Sequence, residues 1–176
     1  MTQSDKQDYK ALYTIAQGEK KLLMGLAASR TFDQVFDRLF AYVQGRWGFN
    51  SIGVQLVDYE RKTLRHFVTK SSVSNLEKSN PQVVQDIPLD DKASVSARTA
   101  IEQHWYHADF ERARKADEHT DIDAEIVKAL DIRENLILPI VHEGRTLGVL
   151  HLSAIGKRLD LEEPTIEDIL SLIELV

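Results

Sequence analysis

The sequence predicts an α+β domain: two helical stripes open the chain, alternating strands fill its middle, and two apolar strands joined by a tight turn precede a last helix. A length of 176 residues suits one domain with a real core, and 43% hydrophobic with 28% charged residues is an ordinary globular balance.

The first helix is expected from Tyr9 to Ala28. Leu12, Ile15, Leu22, Leu23 and Leu26 recur at helical spacing, while Gln17, Glu19, Lys20 and Lys21 keep the stripe narrow. A narrow stripe on a long terminal helix suits a helix–helix seam. The second helix is announced by Thr31 with Gln34, a capping box. Phe32, Val35, Phe36, Leu39, Phe40, Val43 and Trp47 form its broad face, and Gly48 stops it.

Asn50 to Tyr59 alternates, with Ile52, Val54 and Leu56 on one face and Gly53, Gln55 and Val57 on the other. Asp58 to Lys62 turns the chain, and Thr63 to Thr69 returns as a second strand. Ser71 to Val84, with Asn80-Pro81 inside it, reads as a loop. Asp86 to Leu89 reads as a short strand, Ser94 to Gln103 as a short helix and His104 to Ala108 as an extended segment. Glu111 to Asp123 is rich in charge. Thr120 with Asp123 opens a helix whose Ile122, Ile126 and Leu130 share a face. Leu136 to Val141 and Thr146 to Ser153 are strands joined by His142-Glu143-Gly144-Arg145. Asp160 and Glu163 are expected to cap the last helix, with Pro164 in its first turn. Its stripe, Ile166, Ile169, Leu170, Ile173 and Val176, still runs where the sequence stops, which suggests continuation toward an effector domain.

Composition removes several kinds of chemistry. With no cysteine the chain has no disulfide, thiolate metal site, cysteine nucleophile or thioether-linked cofactor. A net charge of −6 without a basic stripe gives nucleic acid little to bind. No apolar run reaches the roughly 18–20 residues of a membrane span, and the polar N-terminus is not a signal peptide, so a cytoplasmic protein is expected. No phosphate loop, HExxH or GxSxG is present, and the pairs Asp90-Asp91 and Glu162-Glu163 fall at element ends, so no catalysis is expected. His104 and His107 point to opposite faces of an extended segment with no third ligand in view, so no closed metal site is expected. A single axial histidine for haem would be His107 or His151.

The order of elements resembles the GAF family. Two blocks carry the likeness: Ser94-Val95-Ser96-Ala97-Arg98-Thr99-Ala100-Ile101-Glu102 followed by His107-Ala108-Asp109, and Leu136-Ile137-Leu138-Pro139-Ile140 followed by Gly144-Arg145-Thr146-Leu147-Gly148-Val149-Leu150. The resemblance spans about Leu23 to Val176. It implies a profilin/PAS-like antiparallel sheet, long terminal helices on one face, and short helices covering a ligand pocket on the other. It further implies a regulatory module of signalling proteins, with residues 1–30 a dimerising signalling helix, 31–160 the GAF core and 161–176 the C-terminal helix.

Cyclic AMP or cyclic GMP is the ligand that this resemblance suggests first. By position the pocket would draw on Gly53, Gln55, Phe67, Val95, Ser96 and His151, joined by Trp105, His107 and Asp109. Phe67 or Trp105 could stack on a purine, His151 and Gln55 could supply hydrogen bonds, and the helix starting near Ser94 would offer free amides to a phosphate. The sequence departs from the family's cyclic-nucleotide signature: Asp117-Glu118 lies seven residues after Phe110 rather than four, and no Asn-Lys precedes it. Asp86-Ile87-Pro88 matches three letters of the bilin-binding motif, but no cysteine can attach a bilin. Sulfoxide-reducing members of the fold work through cysteines, which this chain lacks. The competing expectation is a ligand-free relay, a homodimer joined through the stripes of Tyr9–Ala28 and Ile166–Val176.

Overall fold

The computed structural model describes residues 3–73, 86–110 and 120–173. Most of the expected loop after Ser71, the charged stretch with Asp117-Glu118, and the final Glu174-Leu175-Val176 lie outside the described residues. The described elements are α1 (Gln3–Ala27), α2 (Phe32–Trp47), β1 (Ser51–Asp58), β2 (Thr63–Ser71), β3 (Ile87–Pro88), α3 (Val95–Glu102), β4 (Tyr106–Asp109), α4 (Asp121–Leu130), β5 (Ile132–His142), β6 (Arg145–Ile155) and α5 (Glu163–Ile173). None of the described helices is long and apolar enough to cross a membrane.

The chain divides into two compact units, Met1–Val43 with Asp160–Val176, and Gln44–Leu159. In the first, α1 and α2 run antiparallel. Gly18 faces Tyr42, and a Cβ on Gly25 would come within 2.6 Å of the Arg38 guanidinium. Leu22 is buried and Ile15, Leu23 and Leu26 are half-buried, whereas Leu12 is 65% exposed, so the predicted stripe is covered only toward its C-terminal end. The capping box forms one residue wider than expected: Thr31 Oγ1 accepts from Gln34 N, and Gln34 Oε1 accepts from Arg30 N. α2 buries Phe36, Leu39, Phe40 and Val43.

At α5 the first bonds run from Thr165 N and Ile166 N to Glu162 O. Asp160, expected as a cap, stands outside the helix with φ 52. Buried Leu172 joins Ile166 and Ile169, a position the sequence stripe did not include.

The second unit holds a six-stranded antiparallel sheet in the order β3-β2-β1-β6-β5-β4. The β5–β6 hairpin turns through Glu143 and Gly144, both at positive φ (50 and 74), the two-residue geometry whose twist matches paired strands. Both strands are longer than expected because pairing runs on through polar residues, Glu134↔Ala154 and Asn135↔Ser153. Gly148 is forced by close approach: a Cβ there would lie 2.2 Å from Gln55 O. A bulge shifts the register at Phe67, since Val54 pairs with Val68 and Gln55 with His66.

Two apolar clusters flank the sheet. One gathers Leu64, Ile87, Ala97, Ala100, Ile137 and Val149; the other gathers Phe110, Ile132 and Ile155. Ile126 of α4 packs against both. Between them a gap remains.

Candidate functional site

That gap is a cavity of about 100 Å³, with room for several waters. Its floor is the polar sheet face: Ser51, Gly53 and Gln55 of β1, His66 and Thr69 of β2, Asn135 of β5, and His151 and Ser153 of β6. Its roof is apolar, formed by Ile126, Val127 and Leu130 of α4, with Ile87, Phe110, Ile132, Ile137 and Ile155 around the sides. Ser96 of α3 and Asp123 of α4 complete the lining.

Strand register explains the floor. In a regular strand His66 and Thr69 would face opposite ways, three residues apart. The bulge at Phe67 adds one residue, so both reach the cavity and His66 Nε2 lies 2.9 Å from Thr69 Oγ1. The same bulge sends Phe67 outward, 50% exposed. On β1, Gly53 sits opposite both Thr69 and His151, and a Cβ there would meet Thr69 Oγ1 at 3.2 Å, so glycine leaves a notch between them.

The central strands carry a hydrogen-bond chain. Ser153 Oγ donates to Asn135 Oδ1 (3.2 Å), Asn135 Nδ2 lies 3.2 Å from His151 Nδ1, and His151 Nε2 lies 3.1 Å from Gln55 Oε1. The partners define the ring's protons: an imidazole that accepts from the Asn135 amide and donates to the Gln55 carbonyl is neutral, with its proton on Nε2. Enclosure by protein pushes the His151 pKa down from 6.5 to about 4, and the neighbouring His66 adds to the shift. A polar group this enclosed is costly unless bonded, and here both ring nitrogens are.

α3 is fastened at both ends. Thr146 Oγ1 of β6 donates to Ala100 O (2.7 Å), and Gln103 Nε2 donates to Gly144 O (3.0 Å). At its start Ser94 Oγ caps Ala97 N (3.0 Å). The expectation that this helix offers free amides to an anion is corrected by Asp123, whose Oδ2 accepts from Val95 N at 3.0 Å.

Of the residues singled out from sequence, Gly53, Gln55, Ser96 and His151 meet at the cavity. Phe67, Val95, Trp105, His107 and Asp109 are not among its lining residues. Val95 packs on the first apolar cluster, and Trp105 stacks with His104. Asp109 pairs with Arg158 at 2.8 Å, while His107 Nε2 is buried with no hydrogen-bond partner among the described residues. Sequence reasoning missed His66, Thr69, Asn135, Ser153 and the second role of Asp123. A bulge carries no composition signal, and Asn135 precedes the run Leu136–Val141 that identified its strand.

No known family profile matches this sequence, and no curated protein matches it. Solved structures do. A methyl-accepting chemotaxis protein, residues 122 to 287, superposes with TM-score 0.65 at 19% identity over 88% of this chain and 91% of that one. The GAF domain of an Acinetobacter phosphoenolpyruvate-protein phosphotransferase gives 0.63 at 12% identity over 92% and 89%. A free methionine-R-sulfoxide reductase from Neisseria meningitidis, in complex with its substrate, gives 0.63 at 15% identity over 89% and 82%. The chain therefore has a GAF-like α+β fold.

Proposed function

We propose that this chain is a sensory module of a signalling protein, and that the unit Gln44–Leu159 works by taking a small molecule between its polar sheet face and α4. The observation that carries the reading is the partly buried chain Gln55–His151–Asn135–Ser153 beside the cavity, since a polar wall under an apolar roof is how small-molecule sites fix orientation. GAF domains of a sensor histidine kinase and a phosphotransferase share the fold, which supports a regulatory role. A cavity of about 100 Å³ is below the roughly 300–1,000 Å³ of drug-sized sites, which favours a ligand with few heavy atoms. Binding rather than catalysis is proposed because the chain has no thiol, so the reductase among its structural neighbours offers no cysteine route here.

Native mass spectrometry of the purified chain, followed by calorimetric titration with small uncharged probes (acetamide, glycerol, imidazole) and, as comparisons that carry an anionic group, with free methionine sulfoxide, cyclic AMP and cyclic GMP, tests this. The account expects a small ligand that binds the wild type and is lost in Gly53→Val, which fills the notch. If nothing binds and Gly53→Val only raises thermal stability, the cavity is a packing void and the sensing reading fails. A ligand-free homodimeric relay is the second reading, favoured by Leu12, Tyr13 and Met24, each more than half exposed on α1. Sedimentation that shows a strict monomer at high concentration removes it.

A further inference from the structure

A carboxylate in the first turn of one helix takes the first amide of another. Asp123 lies in the first turn of α4, where Thr120 Oγ1 caps its amide (3.1 Å) and donates to its Oδ2 (2.8 Å). The same Oδ2 accepts from Val95 N, the first residue of α3, at 3.0 Å. Each helix start carries partial positive charge, so each favours an anion. One buried carboxylate, 8% exposed, thus takes the first amide of α3 and the cap hydroxyl of α4, and it lines the cavity beside buried Ser96.

We propose that Asp123 is a built-in anion that occupies the seat at the start of α3, latching α4 over the cavity and excluding ligands that carry a phosphate or carboxylate. The inference deepens the sensory reading, because it sets which ligand chemistry the cavity refuses. A phosphate or carboxylate entering the cavity must displace the protein's own carboxylate and take up its bonds to Val95 and Thr120. An uncharged or cationic ligand meets no such competitor. Removing the Asp123 side chain leaves the positive start of α3 facing an empty seat, which an anion from solution can fill.

The test uses the full chain as wild type, Asp123→Ala and Asp123→Asn. Thermal stability is titrated with inorganic phosphate and with acetate against chloride at matched ionic strength, and hydrogen exchange by mass spectrometry follows residues 121–130. The expected result is phosphate stabilisation of Asp123→Ala with an affinity roughly tenfold or more above that of the wild type. Exchange in α4 should be fast in that variant without phosphate and slowed again by it. Asp123→Asn keeps an acceptor but no charge. It should fold with α4 less protected than in the wild type, and it reports on the latch should Asp123→Ala fail to fold. An equal phosphate response in wild type and variants, or none in either variant, overturns the proposal. So does unchanged α4 exchange in both variants. Such failure leaves the cavity and its proposed ligand in place, whereas loss of the sensing reading is decided by Gly53→Val.

Discussion

α3 and α4 border the same cavity but are held in different ways. α3 buries Ser96, Ala97, Thr99 and Ala100 within eight residues and is tied to the β5–β6 hairpin through Thr146 and Gln103. α4 buries one described side chain, the carboxylate of Asp123, while Ile122, Ile126, Val127 and Leu130 are only half-buried. Small residues let α3 approach the sheet closely, and its hydrogen bonds reach the strands. α4 rests on partial apolar contact and one polar clasp, the profile of a segment that opens at low cost. The difference separates a fixed wall, made of sheet and α3, from a movable roof.

The strongest way to break the fixed wall is Gly148→Ala. Its Cβ would meet backbone, Gln55 O at 2.2 Å, so β1 and β6 must separate. A loss of about 3 kcal/mol or more is expected in chemical denaturation, with exchange accelerated in every strand.

The pH response of His151 is next. Because its folded pKa, about 4, lies below the unfolded 6.5, the unfolded chain takes up this proton first as pH falls. Its contribution is therefore whole above pH 6.5 and is lost as pH falls from there to about 4. Over that window the wild type should lose about 3 kcal/mol more stability than His151→Gln, with carboxylate titration common to both cancelling in the difference. Parallel pH curves would mean that the ring is not held neutral.

Thr146→Val should cost about 2 kcal/mol by removing the buried bond to Ala100 O. Loosening of α3 and the hairpin together, seen in exchange, would sharpen the contrast with α4. The smallest effect belongs to the roof. Val127→Ala should lower global stability by about 1 kcal/mol, with faster exchange confined to residues 121–130. Spread of that effect to α3 would show that the two helices move as one.

Much of this architecture was legible in the sequence, because its signals are local. The Thr31–Gln34 box, the Glu143-Gly144 turn and the alternation of β1 each depend on neighbours a few residues away. The cavity was legible only in part. Gly53, Gln55 and His151 could be placed by strand period, but Phe67 could not, since one extra residue in β2 parts it from Thr69, whose face it would otherwise share, and brings His66 there instead. Asp123 was readable as the capping partner of Thr120, yet its bond to Val95 joins residues 28 apart and no spacing rule reaches it. The start of α5 was misread for a related reason: Asp160 has a capping residue's chemistry, but its backbone lies in the left-handed region and the helix begins after Glu162.

Native-state hydrogen exchange of the wild-type chain across a denaturant series tests the division between wall and roof most directly. Amides of α4, Asp121–Leu130, should exchange through a local opening that barely depends on denaturant, while those of α3, Val95–Glu102, and of β6 exchange only with global unfolding. Equal opening free energies for α3 and α4 would contradict the account.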